Sequence, residues 1–126
     1  MSDDTAETGP ERHWRTALAE GRFLLQRTRA SGTVFFPPRL MEPRTGDDNW
    51  DWIEASGMGT VHAVTVIYPK PPEPPRAVVL VDLDEQVRLM SEIEGIAAED
   101  IAIGLRVRAR IGERAGAPLL LFDVAA

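Results

Sequence analysis

Residues 25–46 read LQRTRASGTVFFPPRLMEPRTG, and this stretch decides how the N-terminal half of the chain is interpreted. Thr28 and Ser31 form one pair, ten residues follow, and Glu42 and Thr45 form a second pair. A four-cysteine zinc site uses two close pairs of ligands at this kind of spacing. Neutral hydroxyl groups are poor zinc ligands, and one carboxylate cannot hold the ion alone. We therefore predict a small lobe shaped like a zinc ribbon that binds no zinc.

A lobe of this kind needs another source of stability. A structural zinc ion contributes about 10–16 kcal/mol of apparent binding energy that is coupled to folding. That is comparable to the whole stability of a small domain. We expect the compensation to come from a partner surface or from burial of large apolar side chains, at about 1.5–3 kcal/mol each. The candidates are Phe35, Phe36, Leu40, Met41 and Trp50.

Composition excludes several classes of function. The 126 residues are 44% hydrophobic and include no cysteine, so the chain has no disulfide, thiolate nucleophile or iron–sulfur cluster. A net charge of −6 disfavours nonspecific nucleic-acid binding. The charge is uneven, because residues 22–44 carry five arginines against one glutamate and residues 82–100 carry seven carboxylates against one arginine. These patches either orient a partner or are ordinary solvated faces.

The start of the chain predicts disorder followed by one helix. Residues 1–9 are polar and acidic and lack the basic and apolar segments of a signal peptide, and no apolar run approaches the length of a membrane span. We therefore expect a cytoplasmic protein with no membrane partner. A helix is predicted from Pro10 to about Glu20, with Trp14 and Leu18 on one face. It is too short to be stable alone, so it needs a surface to rest on.

Turn-forming residues divide the rest of the chain into short strands. We predict a mainly β protein in three parts: residues 1–21 hold the disordered start and the helix, residues 22–49 the lobe, and residues 50–126 an OB-fold barrel. A helical turn is expected around Ala97–Ile101. The predicted strands are Phe23–Arg27, Thr33–Phe36, Trp50–Ala55, Gly59–Tyr68, Arg76–Leu83, Val87–Ile93, Leu105–Ile111 and Leu119–Val124.

Four stretches, taken in order and spacing, carry a family resemblance. They are Leu24–Arg27, Phe35–Arg39, Trp52–Val61, and Val81–Met90 followed by Ile103–Val107. With them the chain resembles the family in which a rubredoxin-like zinc ribbon precedes an OB-fold, often described as an acyl-CoA-associated domain of unknown function. The chain departs from that family at all four ligand positions, since none of them is a cysteine.

The resemblance implies a role beside a thiolase-like enzyme. Family members are associated with ketothiolases, acyltransferases and steroid side-chain retro-aldolases, where they aid assembly or shape the passage of an acyl-CoA thioester. The resemblance thus implies a non-catalytic subunit of a hetero-oligomer, with the partner supplying the nucleophilic cysteine. No bound cofactor is expected, and a CoA thioester is the ligand that the family suggests. The alternative is a stand-alone acyl-CoA-binding module. An independent enzyme is disfavoured, because no nucleophile–base pair can be nominated.

One strand carries the first candidate contact surface. Arg106, Arg108 and Arg110 alternate with apolar residues and so project from one face, which we call the arginine ladder. The ladder either contacts CoA phosphates or acidic partner residues, or it pairs with carboxylates on a neighbouring strand.

Other candidates lie on loops and on the helix. The proline-rich loop at residues 69–75 is either a stiff binding arm with Tyr68 at its base or a rigid connector. Arg39 in the basic lobe and Trp14 on the helix complete the candidate contacts. Asp82 and Asp84 are interpreted as a solvated acidic face, His62 as a surface or half-buried strand residue, and the Gly57–Gly59 segment as a bend in a strand.

Overall fold

The computed structural model describes residues 9–125, which form two compact units. Residues 9–55 and Glu113–Leu119 form the first unit, and Ser56–Gly112 and residues 120–125 form the second. The predicted disorder of residues 1–9 concerns positions that lie almost entirely outside the described residues. Within the described range, no helix is long and apolar enough to cross a membrane.

The first unit contains the predicted N-terminal helix and a three-stranded sheet. Helix α1 (Gly9–Ala19) is followed by β1 (Leu24–Thr28), β2 (Val34–Phe35) and β3 (Trp50–Glu54), in the antiparallel order β2-β1-β3. Apolar packing and one hydrogen bond fix the helix. Ala17 and Leu18 are buried, and the Trp14 indole N–H donates to the carbonyl of Leu24 at 2.8 Å. The surface that this short helix needed is thus provided within its own unit.

Strand β3 differs from the sequence-based division at residue 50. The sequence assigned this segment to the barrel, whereas all five of its residues pair with β1, from Leu24 opposite Glu54 to Thr28 opposite Trp50. The division between the units falls after Ala55. The reason is physical: alternation identifies a strand, but it carries no information about which sheet the strand joins.

The second unit contains the strands of an OB-fold, as predicted. They are β4 (Met58–Ile67), β5 (Arg76–Leu83), β6 (Arg88–Ser91), β7 (Ile93–Glu94), β8 (Arg106–Arg114) and β9 (Ala117–Val124), with a short 3-10 helix at Ala98–Asp100 before β8. The β8–β9 turn contributes residues to the first unit. The structure breaks the single strand predicted at Val87–Ile93 into β6 and β7.

These six strands make a curled sheet whose ladder is not closed. The order is β6-β5-β4-β8-β9-β7, so β6 and β7 lie at its opposite edges although only Glu92 separates them in sequence. One residue spans only about 3.5 Å, so the sheet must curl until its two edges nearly meet. Ser91 Oγ donates to the Leu120 carbonyl at 3.0 Å, and the Phe122 N–H donates to the Glu92 carbonyl at 3.0 Å.

The inner face of this sheet forms the core of the second unit. Val61, Val79, Val81, Val107 and Phe122 are each no more than 1% exposed. Gly59 is buried beside them, and a β-carbon there would lie 2.6 Å from Val81 Cγ1 and 2.9 Å from the Asp82 carbonyl oxygen. The glycine predicted to mark a bend therefore allows β4 and β5 to approach each other closely.

Gly59→Ala is expected to destabilise the protein by about 1–3 kcal/mol, because neither the Val81 side chain nor the β5 backbone can move away without disturbing the core. Gly9→Ala is the control, since nothing lies within 4 Å of the added carbon. Chemical denaturation of both variants measures the difference, and an unchanged midpoint for Gly59→Ala would contradict this packing.

Candidate functional site

Two turns in the first unit have the same backbone hydrogen bonds. In the first turn, Gly32 N–H donates to the Thr28 carbonyl and Thr28 N–H donates to the Thr33 carbonyl, both at 2.9 Å. In the second turn, Gly46 N–H donates to the Glu42 carbonyl and Glu42 N–H to the Asp47 carbonyl, both at 2.8 Å. We call residues 28–33 and 42–47 the paired turns. The spacing noted in the sequence thus marks two equivalent turns.

Each turn needs a glycine at the same position. Gly32 and Gly46 both follow the first residue of their turn by four positions, and their φ values are 72° and 73°. This left-handed conformation is readily adopted by glycine and disfavoured for other residues. The repeated glycine was visible in the sequence as part of Ser31-Gly32 and Thr45-Gly46.

The first turn is held by hydroxyl groups. Thr28 Oγ1 lies 2.7 Å from Ser31 Oγ and accepts the Thr33 N–H at 3.1 Å, while Ser31 Oγ lies 2.8 Å from Thr33 Oγ1. Thr28 is 1% exposed. The hydroxyls at the first pair of ligand-like positions therefore bond to each other and to the turn.

The second turn is held by a buried carboxylate. Glu42 is 3% exposed, and its Oε2 accepts the backbone N–H groups of Arg44 and Thr45, the latter at 3.2 Å. Its Oε1 lies 3.7 Å from the Arg44 guanidinium. Bonds from amides to an ionised acceptor are stronger than bonds between neutral groups, which suits a buried charge.

This set of side chains does not fit a structural zinc ion. Thr28, Ser31 and Thr45 offer neutral hydroxyls, and the Glu42 carboxylate is already used by two backbone amides. Across residues 9–125, no group of three or more His, Cys, Asp or Glu residues could hold a metal ion. The predicted absence of zinc therefore rests on the chemistry of these four side chains.

Gln26 joins the second half of the lobe to β1, a role that was not predicted from the sequence. Its side chain is 1% exposed, its amide N–H donates to the Arg39 carbonyl at 2.7 Å, and its amide oxygen accepts the Arg39 N–H at 2.9 Å. The Trp50 indole N–H donates to the neighbouring Leu40 carbonyl at 2.8 Å. We call these three hydrogen bonds the backbone clamp. The available signal was a polar residue directly after two strongly apolar ones in a strand.

The expectation that all five large apolar residues stabilise the lobe by burial is only partly correct. Phe35 is buried and its ring makes an edge contact with Trp50, with centroids 6.3 Å apart. By contrast, Leu40 is 59% exposed and Met41 is 49% exposed. The clamp fixes the backbone at Arg39 and Leu40, and the side chains of Leu40 and Met41 stay about half exposed.

The arginine ladder lies on one face of β8, and two of its three members are paired within the second unit. Arg106 donates to both Asp84 oxygens at 2.8 and 3.1 Å and to Thr60 Oγ1 at 3.0 Å. Arg110 bonds to Asp123 at 2.7 Å and to Glu94. The hydrogen bond from Arg106 keeps the pKa of Asp84 below its ordinary value. Of the two alternatives for the ladder, pairing with carboxylates therefore holds for Arg106 and Arg110.

Arg108 differs from the rest of the ladder. Arg108 is exposed, and Met58 lies opposite it on β4. No carboxylate pairs with Arg108 in the described part of the chain. Arg39, on the clamped segment of the first unit, is likewise exposed and has no side-chain partner among residues 9–125. These two guanidinium groups are available to an external anion.

The remaining candidates are held in local contacts. The exposed Tyr68 hydroxyl donates to Glu99 Oε2 at 3.0 Å, and this hydrogen bond raises the pKa of Tyr68. On the outer face of the sheet, Asp82 bonds to Arg88 at 2.7 Å and lies 3.3 Å from His62 Nδ1. The Arg88 hydrogen bond lowers the pKa of Asp82. Asp82 and Asp84 therefore have separate arginine partners and do not form a carboxylate pair.

Comparison with known proteins identifies the family of this chain. Residues 52–112 match the family model of the ChsH2 C-terminal OB-fold domain. A solved structure described as the Ltp2-ChsH2(DUF35) aldolase is 34% identical, with 96% of this chain and 98% of that chain covered and a TM-score of 0.82. The chain belongs to the ChsH2 (DUF35) family.

Other relatives extend the comparison. A probable enoyl-CoA hydratase alpha subunit of Thermomonospora curvata is 38% identical over 75% of this chain, and the chain spans only 30% of that protein's length. A DUF35 domain-containing scaffold protein of Methanocaldococcus jannaschii is 28% identical over 78% of this chain and 73% of its own length. A DUF35 protein of unknown function from Sulfolobus solfataricus, 19% identical, shares the fold with a TM-score of 0.69 and coverage of 94% and 87%.

Gln26→Leu is expected to destabilise the protein by about 1–3 kcal/mol in all, because the Arg39 N–H and carbonyl lose their part-buried partner on β1. Arg27→Leu, at the solvent-facing neighbour on the same strand, is the control.

The thermal midpoint of the unmodified protein should not change with a strong chelator. Stoichiometric zinc in the purified protein, or a midpoint that falls with chelator, would contradict the metal-free account.

Proposed function

We propose that this chain is a non-catalytic accessory subunit of a thiolase-like enzyme that handles acyl-CoA thioesters, in which it aids assembly or substrate passage. The observation that carries the proposal is the 34% identity, over nearly the full length of both chains, to the ChsH2(DUF35) component of an aldolase described together with Ltp2. Acyl groups derived from lipids or steroids are the substrates we propose for the assembly.

The lack of a catalytic set supports an accessory role. His62 is in contact with Asp82 and Arg88, which resembles the base-and-orienter half of a catalytic triad. However, no hydroxyl, thiol or amine nucleophile hydrogen-bonds to His62 in the structure of residues 9–125. Covalent catalysis needs a nucleophile within hydrogen-bond reach of its base, so the proposed reaction takes place on the partner.

The clamped segment of the first unit supports docking on a protein partner. The backbone clamp fixes the backbone at Arg39 and Leu40, so the segment that presents their exposed side chains and that of Met41 loses little backbone freedom on binding. Arg39 and the 83% exposed side chain of Arg44 flank this apolar tip. The complementary surface is an apolar pocket with an acidic rim.

Co-expression with a thiolase-like protein of the same organism, followed by purification through a tag on either component, tests the proposal. We expect a stable complex, and recovery of only the free chain under gentle conditions would contradict the proposal.

The double variant L40S/M41S should weaken the complex about tenfold or more, since central apolar anchors contribute most of the binding energy of an interface. Met90→Ser, at a 70% exposed methionine of the second unit, is the control.

A second candidate function is a stand-alone module that binds acyl-CoA, and Arg108 is the observation that favours it. An exposed guanidinium without an internal carboxylate can bind a CoA phosphate. Under this alternative, CoA raises the thermal midpoint of the isolated chain, and Arg108→Gln removes the shift. Arg76→Gln, at an exposed arginine outside the ladder, should retain the shift. A shift that persists in Arg108→Gln would remove the ladder from the candidates.

A further inference from the structure

Strand β4 extends well beyond the strand that covers one of its edges. β8 pairs only with the first three residues of β4, Met58–Thr60. Two further hydrogen bonds, from Val61 N–H to the Leu105 carbonyl and from Gly104 N–H to the Val61 carbonyl, end this contact. Between Ala63 and Ile67, β4 pairs with β5 on its other side, and no strand of the described chain pairs with the free edge.

A bulge determines which backbone groups face this free edge. Val61 directs its N–H and carbonyl towards the β8 side. The register then shifts between Val61 and Ala63, with His62 as the extra residue. An extra residue reverses the alternation of the strand, so the N–H and carbonyl groups of Val64 and Val66 are the ones that face the free edge.

The free edge has little protection against pairing. Residues 63–67 read AVTVI, which contains no charged residue and no proline, and all five are exposed or half-buried. Four of them are β-branched (two valines, one threonine and one isoleucine), and these are the types that pair best across strands. Natural edge strands are commonly protected by charges or prolines, and this segment of β4 has neither.

We propose that the free edge of β4 pairs with the same edge of a second copy of this chain. A two-fold axis at Thr65 places Thr65 opposite Thr65, Val64 opposite Val66 and Ala63 opposite Ile67 in an antiparallel ladder. Every pair is free of charge repulsion, and the pairing is self-complementary as a two-fold interface requires. The ladder is short, so the dimer is weak.

Thr65 provides a test that does not disturb the fold, because its side chain is exposed and lies on the proposed axis. Sedimentation velocity from about 5 to about 500 µM should show the unmodified chain passing from monomer to dimer. T65K and T65E should each weaken dimerisation about tenfold or more, because two like charges meet at the axis. A mixture of T65K and T65E should dimerise again. M90K, on β6 and away from this edge, should dimerise like the unmodified chain.

A second variant tests the backbone itself. Val66→Pro removes an N–H that faces the free edge, where proline is tolerated, and should give a folded monomer by circular dichroism. If Val66→Pro fails to fold, the Thr65 pair still decides. The proposal is overturned if the unmodified chain stays monomeric at the highest concentration, or if T65K dimerises as the unmodified chain does. Neither result bears on the accessory-subunit proposal, whose test is the complex with a different protein.

Discussion

The hydrogen bonds of one buried amide, Gln26, fix the segment between the paired turns to the sheet of the first unit. A glutamine side chain carries both a donor and an acceptor, so it can pair with a peptide group as a neighbouring strand would. Gln26 does this with Arg39 and ties the segment between the paired turns to the central strand of the sheet. Trp50 adds a bond from the neighbouring strand β3. A metal ion would fix the turns to each other, whereas these side chains fix the intervening backbone to the sheet.

The four ligand-like residues have an equally local role. The Thr28 and Ser31 hydroxyls bond to each other, and the Glu42 carboxylate accepts amides of its own turn. Each turn is therefore stabilised separately, and the lobe does not depend on a single central ion. Because hydrogen bonds to charged acceptors contribute more than neutral ones, Glu42 is the strongest of these replacements. The consequence for function is that hydrogen bonds hold the backbone on both sides of Met41, while the side chains of Leu40 and Met41 are exposed.

Much of the fold could be predicted from the sequence because its signals are local. Alternation identified β4, β5 and β8, and the turn spacing identified the paired turns. The membership of β3 in the first sheet, the break at Glu92 and the exposure of Leu40 and Met41 depend on contacts distant in sequence. The arginine ladder shows the same limit. The face that carries Arg106, Arg108 and Arg110 was predictable, but their partners Asp84, Glu94 and Asp123 lie on other segments, so pairing and availability could not be separated.

Amide hydrogen exchange on chelator-treated protein shows whether side-chain hydrogen bonds hold the lobe without metal. We expect the amides of Thr33, Arg39 and Thr45 to be protected, because each donates to a side chain within the lobe. That protection should be the same after zinc is added. Amides that exchange as fast as those of an open loop, or that become protected only with zinc, would show that these hydrogen bonds do not hold the lobe.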